Sequence, residues 1–489
     1  MAAAGSTEQR AGATLPVRVL QAVVAYWFAI KVAALFFGEP HADEAYYWIW
    51  GQHLALSYLD HPPFHAWLQG LVSLALGWNL FALRFLSVVT SAACLWVFWI
   101  WAKRLRPDDP RPTFWLTAAL FYSAPMLMLY TTVALHDRVL VLLALLSIHC
   151  FALFFATWTE GARRYGLLYG GAMLLGLATL TKYTGVLVGV AILLTILSRR
   201  DLRLLLRSPH VYLAALLSVA MQAPVIYWNL TEGFISAQFH LARGFEGPAA
   251  GFEHVGRIVL ETALLIGPFA ILPIWRFLST RAGGGFPGML HSSAKWVFAA
   301  TVVAVTLLAF FREALFYWNI LAFAAVFAAG AWAFRSRLEQ ALHIGWGLVV
   351  MTVLFVQLAL VPFLDSPDAD RLYGESEVAA AVQAAEMAQN ADFAAAGDWL
   401  QASQLAFALK DKDVASISAR VDGYDFWFDD EAHRGKTAIV VIDRSEQRAY
   451  VRSRFESFEK LGEVPVERFG IPLLTYEIYV GRGYRPETR

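Results

Sequence analysis

The sequence predicts a polytopic α-helical membrane protein with a small soluble α/β domain at its C-terminus. Only 16% of its 489 residues are charged and 58% are hydrophobic, whereas a soluble globular protein has about 25% charged residues. The chain contains repeated apolar runs of about 18 residues or more, which is the length that crosses a bilayer as a helix. Its net charge of zero argues against nucleic acid as a partner.

Residues 1–364 contain the predicted membrane spans. We predict about 11–13 transmembrane helices, because eleven apolar stretches qualify. The count stays open because the stretches 166–181 and 184–198 are short for two full crossings and because residues 62–79 could enter the interface without crossing. The eleven stretches are residues 17–38, 80–101, 113–131, 139–158, 166–181, 184–198, 210–229, 256–277, 295–311, 315–334 and 342–363.

Lys and Arg are concentrated in alternate loops of this predicted topology, for example at Lys103, Arg104 and Arg106 and again at Arg199 and Arg200. Loops rich in Lys and Arg stay in the cytoplasm. The distribution therefore predicts that the first long loop, about residues 39–79, lies outside the cytoplasm.

From residue 365 to residue 489 the apolar runs shorten and charges of both signs appear. Helical spacing is present at 376–389 and at 398–409, and short buried-strand patterns at 438–443 and 471–481. We predict a soluble α/β domain here, on the same outer face as the first loop.

The first loop has an unusual composition, and we predict that it carries an active site. Residues 41–67 contain Asp43, Glu44 and Asp60 together with four histidines, but no Lys or Arg. A carboxylate in an apolar cleft can serve as a general base with a tuned pKa. Acids also favour a helix N-terminus for purely structural reasons. A His and carboxylate metal site is a further alternative, although no recognised ligand spacing is present.

Three other motifs fall on the same predicted face. His136, Asp137 and Arg138 follow the third span, and Lys182 interrupts an apolar stretch. With Arg312, these cations are candidates for stabilising an anionic leaving group. The structural alternatives are a local ion pair and a Lys side chain that extends to the membrane interface.

These segments resemble a known family. DEAYYWIW, SYLDHPPFHAWL, ALRFLS, HDRVLVL, ATLTKYTGVLV and LFYWNILAF resemble motifs of the bacterial polyprenyl-phosphate-sugar glycosyltransferases. These are GT-C enzymes related to protein O-mannosyltransferases and to the lipid A aminoarabinose transferase. The resemblance spans roughly residues 17–375. One departure is Tyr317, which stands where the family usually has His.

The resemblance implies a GT-C fold and an inverting transfer of a sugar from a polyprenyl-phosphate donor. Asp43, with Glu44 beside it, would supply the essential acid, and Asp137 would be the second catalytic acid. Lys182, with Arg138 and Arg312, would bind the donor phosphate. The expected substrate-binding residues are Tyr46, Tyr47, Asp60, His61 and Tyr183.

The resemblance also sets the expected partners and location. The preferred acceptor is lipid A or the lipopolysaccharide core, and a protein Ser or Thr is the alternative. No cofactor is expected to be required, with a divalent cation left open as an alternative. The protein would lie among the lipids of the bacterial inner membrane, with its site on the periplasmic side. A transporter or flippase for a polyprenyl-linked sugar is the rival from another class, but no repeated halves are evident in the sequence.

Overall fold

Helices form most of the described chain before residue 360. The computed structural model describes residues 14–242, 251–363 and 371–487. The predicted domain boundary between residues 364 and 365 lies outside these described residues. The helices of the N-terminal part are α1 (Val17–Ala34), α2 (Ala42–Gln52), α3 (Phe64–Leu76), α4 (Leu80–Leu105), α5 (Arg111–Tyr122), α6 (Pro125–Tyr130), α7 (Asp137–Thr159), α8 (Tyr165–Thr181), α9 (Val186–Ser198), α10 (Pro209–Ala220), α11 (Ala223–Thr231), α12 (Ile235–Ala242), α13 (Phe252–Ile266), α14 (Ile271–Ser279), α15 (Gly285–Phe311), α16 (Ile320–Ala329) and α17 (Arg337–Ala359).

The prediction of a multi-pass membrane protein is confirmed. In the described part of the chain five helices are long and apolar enough to cross a membrane, or up to seven if each of two bent pairs is one span. Four further apolar helices are shorter. The five long helices are α1, α4, α7, α15 and α17.

Two predicted spans are broken for reasons visible in the sequence. The stretch 113–131 forms α5 and α6, because Pro125 cannot donate a backbone hydrogen bond to the preceding turn. The stretch 256–277 bends by 88° between α13 and the following helical segment. Gly267, with a φ of 92°, stands at this bend, directly before Pro268. Length and composition alone therefore do not give the number of crossings.

The C-terminal domain is an α/β unit, as predicted. Its sheet has the strand order β2-β1-β3-β5-β4, in which β1 pairs in parallel with β2 and β3, and β5 pairs antiparallel with β3 and β4. The elements are α18 (Glu375–Gln389), β1 (Phe393–Ala396), α19 (Trp399–Leu409), β2 (Ala415–Ser416), β3 (Ala438–Ile442), α20 (Arg448–Ser453), β4 (Phe455–Arg468) and β5 (Ile471–Tyr484).

The first loop contributes two helices that cross at very short range. An added Cβ at Gly51 would lie only 2.7 Å from the Gly70 backbone nitrogen, so α2 and α3 pack with their backbones nearly in contact. This contact requires glycine at both positions and folds the loop back on itself.

The C-terminal domain packs directly on this loop. The Tyr46 ring of α2 lies 4.5 Å from the Trp399 ring of α19. The backbone N–H of Glu375, at the start of α18, donates to Glu39 Oε2 at 2.8 Å. Side chains from both parts of the chain share one buried cluster, which extends from Tyr46 to Val480. The loop is therefore held between the membrane helices and the sheet domain.

Candidate active site

Asp43 lies in the first turn of α2, where it remains accessible. His41 precedes the helix, and its Nδ1 accepts a hydrogen bond from the Asp43 backbone N–H at 3.2 Å. The Asp43 side chain is 31% exposed, and its carboxylate lies 3.7 Å from His41 Nδ1. The first turn of α2 thus leaves the Asp43 carboxylate partly exposed to solvent.

Glu44, the next residue, is completely buried and makes four hydrogen bonds. Arg84 donates from Nε to Oε1 at 2.9 Å and from Nη2 to Oε2 at 2.7 Å. The backbone N–H groups of Ala134 and His41 donate to the same carboxylate, at 2.6 and 3.0 Å. Burial alone would raise the pKa of Glu44, but Arg84 and these donors lower it to about 2. This arrangement favours a positioning role for Glu44 over the catalytic one that we predicted.

We expect Glu44→Gln to destabilise the protein, because breaking a buried ion pair leaves Arg84 buried without its counter-charge. Such losses are about 3–5 kcal/mol. The measurement is the thermal unfolding midpoint in detergent, with the exposed Glu253→Gln as the control. The low pKa means that this contribution is present above pH 4–5 and is lost as pH falls toward 2. A Glu44→Gln protein of normal stability that transfers no sugar would instead support direct catalysis by Glu44.

Asp137 and Lys182 form a buried ion pair. Lys182 Nζ lies 2.8 and 2.9 Å from the two Asp137 carboxylate oxygens. Asp137 is the first residue of α7 and Lys182 directly follows α8, so the packing of these two helices brings them together. The Tyr317 ring lies 4.9 Å from Lys182 Nζ, and the Tyr130 ring stacks on Tyr317 at 4.3 Å. Asp137, the predicted second acid, and Lys182, the predicted phosphate-binding cation, are therefore bound to each other, and the rings of Tyr317 and Tyr130 cover one side of Lys182.

Tyr47 connects this pair with Asp43. Burial raises the pKa of Tyr47 well above its usual value, and the nearby carboxylates of Asp43, Asp60 and Asp137 raise it further. Asp43 and Asp137 also both interact electrostatically with Tyr130. The two predicted catalytic aspartates therefore lie around the same tyrosines, in one site.

Three histidines surround the other side of Tyr47. The His136 ring lies 4.2 Å from the Tyr47 ring, 4.5 Å from His61 and 4.4 Å from His65. Burial holds the pKa of His136 well below 6.5, and the neighbouring His65, His61 and Lys182 lower it further. His136 is therefore uncharged at neutral pH. Within the described ranges, no group of three or more His, Cys, Asp or Glu residues has the geometry of a metal site.

Arg138 and Arg312 are the other predicted phosphate-binding residues. Arg138 is completely buried and donates to Ser87 Oγ at 2.8 Å and to the Leu83 carbonyl at 3.3 Å. Successive residues of a helix point about 100° apart, so Asp137 and Arg138 face different neighbours. This position argues against direct phosphate binding by Arg138. Arg312 packs on the Trp318 ring at 5.5 Å, at the border of the Tyr317 segment.

The remaining predicted substrate residues form a second cluster under the C-terminal domain. Tyr46 donates its hydroxyl proton to Asp60 Oδ2 at 3.0 Å and accepts a hydrogen bond from the Gly423 N–H at 2.9 Å. Tyr183 interacts with Asp60 and with the hydroxyl of Ser57. Asp60 thus joins the segment around Gly423 to the residue that follows Lys182.

Asp422, beside this cluster, should make stability depend on pH. Burial, then the nearby Asp425 and Asp60, raises the pKa of Asp422 to about 8. Since an unfolded Asp ionises near pH 4, the folded state binds the extra proton between about pH 4 and 8, and stability falls over that range. We expect Asp422→Asn to flatten the decline of the thermal midpoint between pH 5 and 8. If the thermal midpoints of the wild type and of Asp422→Asn fall in parallel over this pH range, Asp422 is not the source of the pH dependence.

Our sequence analysis missed Lys31, which organises the site from within α1. It is completely buried, and its Nζ donates to the hydroxyls of Thr131 and Thr132, both at 2.9 Å. These threonines begin the segment 131–136 between α6 and α7. Within this segment the Ala134 N–H donates to Glu44, and Asp137 directly follows it as the first residue of α7. The signal was available, because an ionisable residue inside a predicted span is rarely without a role.

Two sequence comparisons relate the chain to known glycosyltransferases. A family model described as dolichyl-phosphate-mannose-protein mannosyltransferase matches residues 60–228. The chain is 26% identical over 337 residues to lipid A galacturonosyltransferase RgtD of Rhizobium johnstonii. This alignment covers 65% of the chain and 66% of that relative, just under two thirds of its length.

Two solved structures of ArnT from Cupriavidus metallidurans share the fold across nearly the whole chain. The apo structure matches with a TM-score of 0.64 and 14% identity, over 94% of this chain and 98% of that one. The structure bound to undecaprenyl phosphate matches with a TM-score of 0.61 and 14% identity, over 95% and 98%. The comparisons confirm the predicted resemblance to polyprenyl-phosphate-sugar glycosyltransferases and the predicted fold, a multi-pass helical membrane domain of the GT-C type.

Proposed function

We propose that the protein transfers a sugar from a polyprenyl-phosphate donor to a hydroxyl of lipid A or of the lipopolysaccharide core. The observation that carries this proposal is the Asp137/Lys182 ion pair, which lies with the accessible Asp43 around Tyr47. A relative that acts on lipid A and a structure of the same fold that binds undecaprenyl phosphate support it.

Lys182 is the group that receives the departing phosphate. The residue is 5% exposed, and its ammonium is held against Asp137 and the face of Tyr317. A cation that is already fixed in a site of low polarity stabilises developing negative charge with little reorganisation. Asp137 orients Lys182, because both of its carboxylate oxygens accept from Nζ. We therefore assign Asp137 a positioning role.

Asp43 is the general base of the proposed reaction. The acceptor hydroxyl oxygen forms a bond to the anomeric carbon, and its proton passes to the Asp43 carboxylate. The bond between that carbon and the phosphate oxygen breaks, and its electron pair leaves with the polyprenyl phosphate. Because this is one displacement, the anomeric configuration inverts. Of the two adjacent acids only Asp43 has solvent access, as a base that meets an incoming substrate requires.

The proposal includes the location of the reaction and the absence of a required cofactor. Asp43, Asp60, Asp137 and Lys182 lie at one end of the helical domain, where the C-terminal domain also packs. The distribution of Lys and Arg puts that end on the periplasmic side of the bacterial inner membrane. A single phosphate leaving group is served by Lys182, so we expect no divalent cation to be needed.

The test uses purified protein in liposomes with undecaprenyl phosphate carrying a labelled sugar. With lipid A as acceptor we expect labelled lipid A of inverted anomeric configuration, at the same rate with and without EDTA. The family model match favours one further candidate acceptor, a peptide with Ser or Thr. Transfer to such a peptide and not to lipid A would replace our acceptor assignment. Movement of the intact donor across the bilayer without any transfer would refute the enzyme assignment.

A further inference from the structure

A separate cavity of about 440 Å³ lies between the first loop, α11 and the C-terminal domain. The first loop contributes residues 53–55 and 57–59, α11 contributes Trp228, with Glu232 just after its end, and the C-terminal domain contributes Gly423 and residues 425–427. We call it the interdomain cleft. None of the predicted site residues lines it, so the reaction described above does not account for it.

The walls of the interdomain cleft are aromatic on both sides. Trp427 stacks on the His53 ring with centroids 5.0 Å apart and planes within 8°. Trp228 packs against Phe426 with centroids 5.4 Å apart. Flat aromatic faces match the apolar C–H face of a sugar ring, and carboxylates accept hydrogen bonds from sugar hydroxyls. Glu232 and Asp425 provide carboxylates in the lining.

The charge of the lining excludes an anionic ligand. The described residues of the lining include two carboxylates and neither Lys nor Arg. Burial lowers the pKa of His53, so that its ring is uncharged at neutral pH. A phosphate group would therefore meet the like charge of two carboxylates in this lining, whereas a neutral or amino sugar would not be repelled by them.

The interdomain cleft also opens next to the bilayer. On α11, the residues adjacent to Trp228 expose apolar side chains, with Tyr227 60% and Leu230 59% exposed. Leu54, which lines the cleft, is itself 61% exposed. A ligand held in this cleft therefore lies directly beside lipid, as the sugar part of a glycolipid does.

The interdomain cleft lies next to the candidate active site, and Ser57 stands between the two. Ser57 lines the cleft, and its hydroxyl lies close enough to Tyr183, the residue that follows Lys182, to influence the Tyr183 pKa. A sugar in the cleft would thus lie beside the sugar unit that reacts.

We propose that the interdomain cleft binds an unphosphorylated sugar unit of the glycolipid acceptor, adjacent to the unit that carries the attacking hydroxyl. This inference rests on the proposed function and deepens it. It assigns the choice of a glycolipid over a protein acceptor to the joint surface of the first loop, α11 and the segment 423–427.

The test compares two cleft variants with a matched control. Glu232→Gln removes an exposed carboxylate of the cleft, and Leu54→Trp fills its mouth. Glu253→Gln removes an equally exposed carboxylate outside the lining. In the liposome assay we expect Glu232→Gln to raise the KM for lipid A about tenfold, the effect of losing one hydrogen bond to a charged group. We expect Leu54→Trp to raise the same KM because the larger side chain blocks entry of the sugar. The KM for the donor and kcat should not change, and Glu253→Gln should match the wild type.

A binding experiment without donor tests the cleft assignment independently of the proposed reaction. Saturation-transfer NMR with the de-acylated and dephosphorylated glucosamine disaccharide of lipid A should detect binding to the wild type and weaker binding to both cleft variants. If the wild type transfers sugar to lipid A and both variants behave like Glu253→Gln, the cleft assignment is overturned. If no transfer occurs but the disaccharide binds in a manner sensitive to Glu232 and Leu54, the proposed reaction fails and the cleft assignment stands.

Discussion

Replacing Asp43 with Asn should reduce sugar transfer by about 10²–10⁴-fold, the usual contribution of a general base. The substitution keeps the size of the side chain and its place in the first turn of α2, so the fold should be unchanged. The measurement is the transfer rate at saturating donor and acceptor, together with the thermal unfolding midpoint. Asp413→Asn, an exposed acid on the C-terminal domain, is the control.

The kinetic pattern of Asp43→Asn distinguishes two roles. A loss in kcat with little change in KM assigns Asp43 to proton removal, because the interaction is then made in the transition state. A loss confined to the KM of the donor assigns Asp43 to sugar binding. Full activity of the variant would refute any direct role for Asp43.

Replacing Lys182 with Met should cost both activity and stability. Removing one preorganised group that stabilises the leaving charge typically lowers kcat by about 10²–10³-fold. The same change leaves Asp137, which is 1% exposed, buried without its partner, and breaking such a pair costs about 3–5 kcal/mol. We expect a lower unfolding midpoint as well as a loss of transfer.

A second variant separates these two effects of Lys182. Combining Lys182→Met with Asp137→Asn removes both charges, so most of the lost stability should return. Transfer should remain absent, because the cation that receives the phosphate is still missing. A stable and active double variant would show that the ion pair serves structure alone.

The identity of the site was predictable from the sequence because its unusual residues are local. The composition of residues 41–67 marked the loop, and the distribution of Lys and Arg assigned the other motifs to its face. The structure pairs Lys182 with Asp137 and places Asp43 and Asp137 near Tyr47. The catalytic roles of these residues stay predictions. Such local signals can be recognised in the sequence before the packing of the helices is known.

The distinction between neighbouring residues was not predictable, because it depends on distant partners. Asp43 and Glu44 are equivalent in sequence, yet Glu44 is bound by Arg84 and by the backbone of Ala134, 40 and 90 residues away. Arg138 follows Asp137 but faces Ser87 from another helix. No local pattern specifies these contacts.

The same limit applies to the fold and to the interdomain cleft. The strand Phe393–Ala396 is mostly alanine, a residue depleted in strands, and it forms only because β2 and β3 flank it. The strand Phe455–Arg468 is largely exposed and polar, so it lacks a buried pattern. The cleft is assembled from three segments that are far apart in the chain, and no segment identifies it alone.

The most direct test of the reaction centre is single-turnover transfer from undecaprenyl phosphate carrying a labelled sugar to lipid A, with the anomeric configuration of the product determined by NMR. We predict an inverted linkage for the wild type, and no product on the same timescale for Asp43→Asn or for the stable double variant of Asp137 and Lys182. A product with retained configuration, or undiminished transfer by those variants, would contradict a single displacement driven by Asp43 and Lys182.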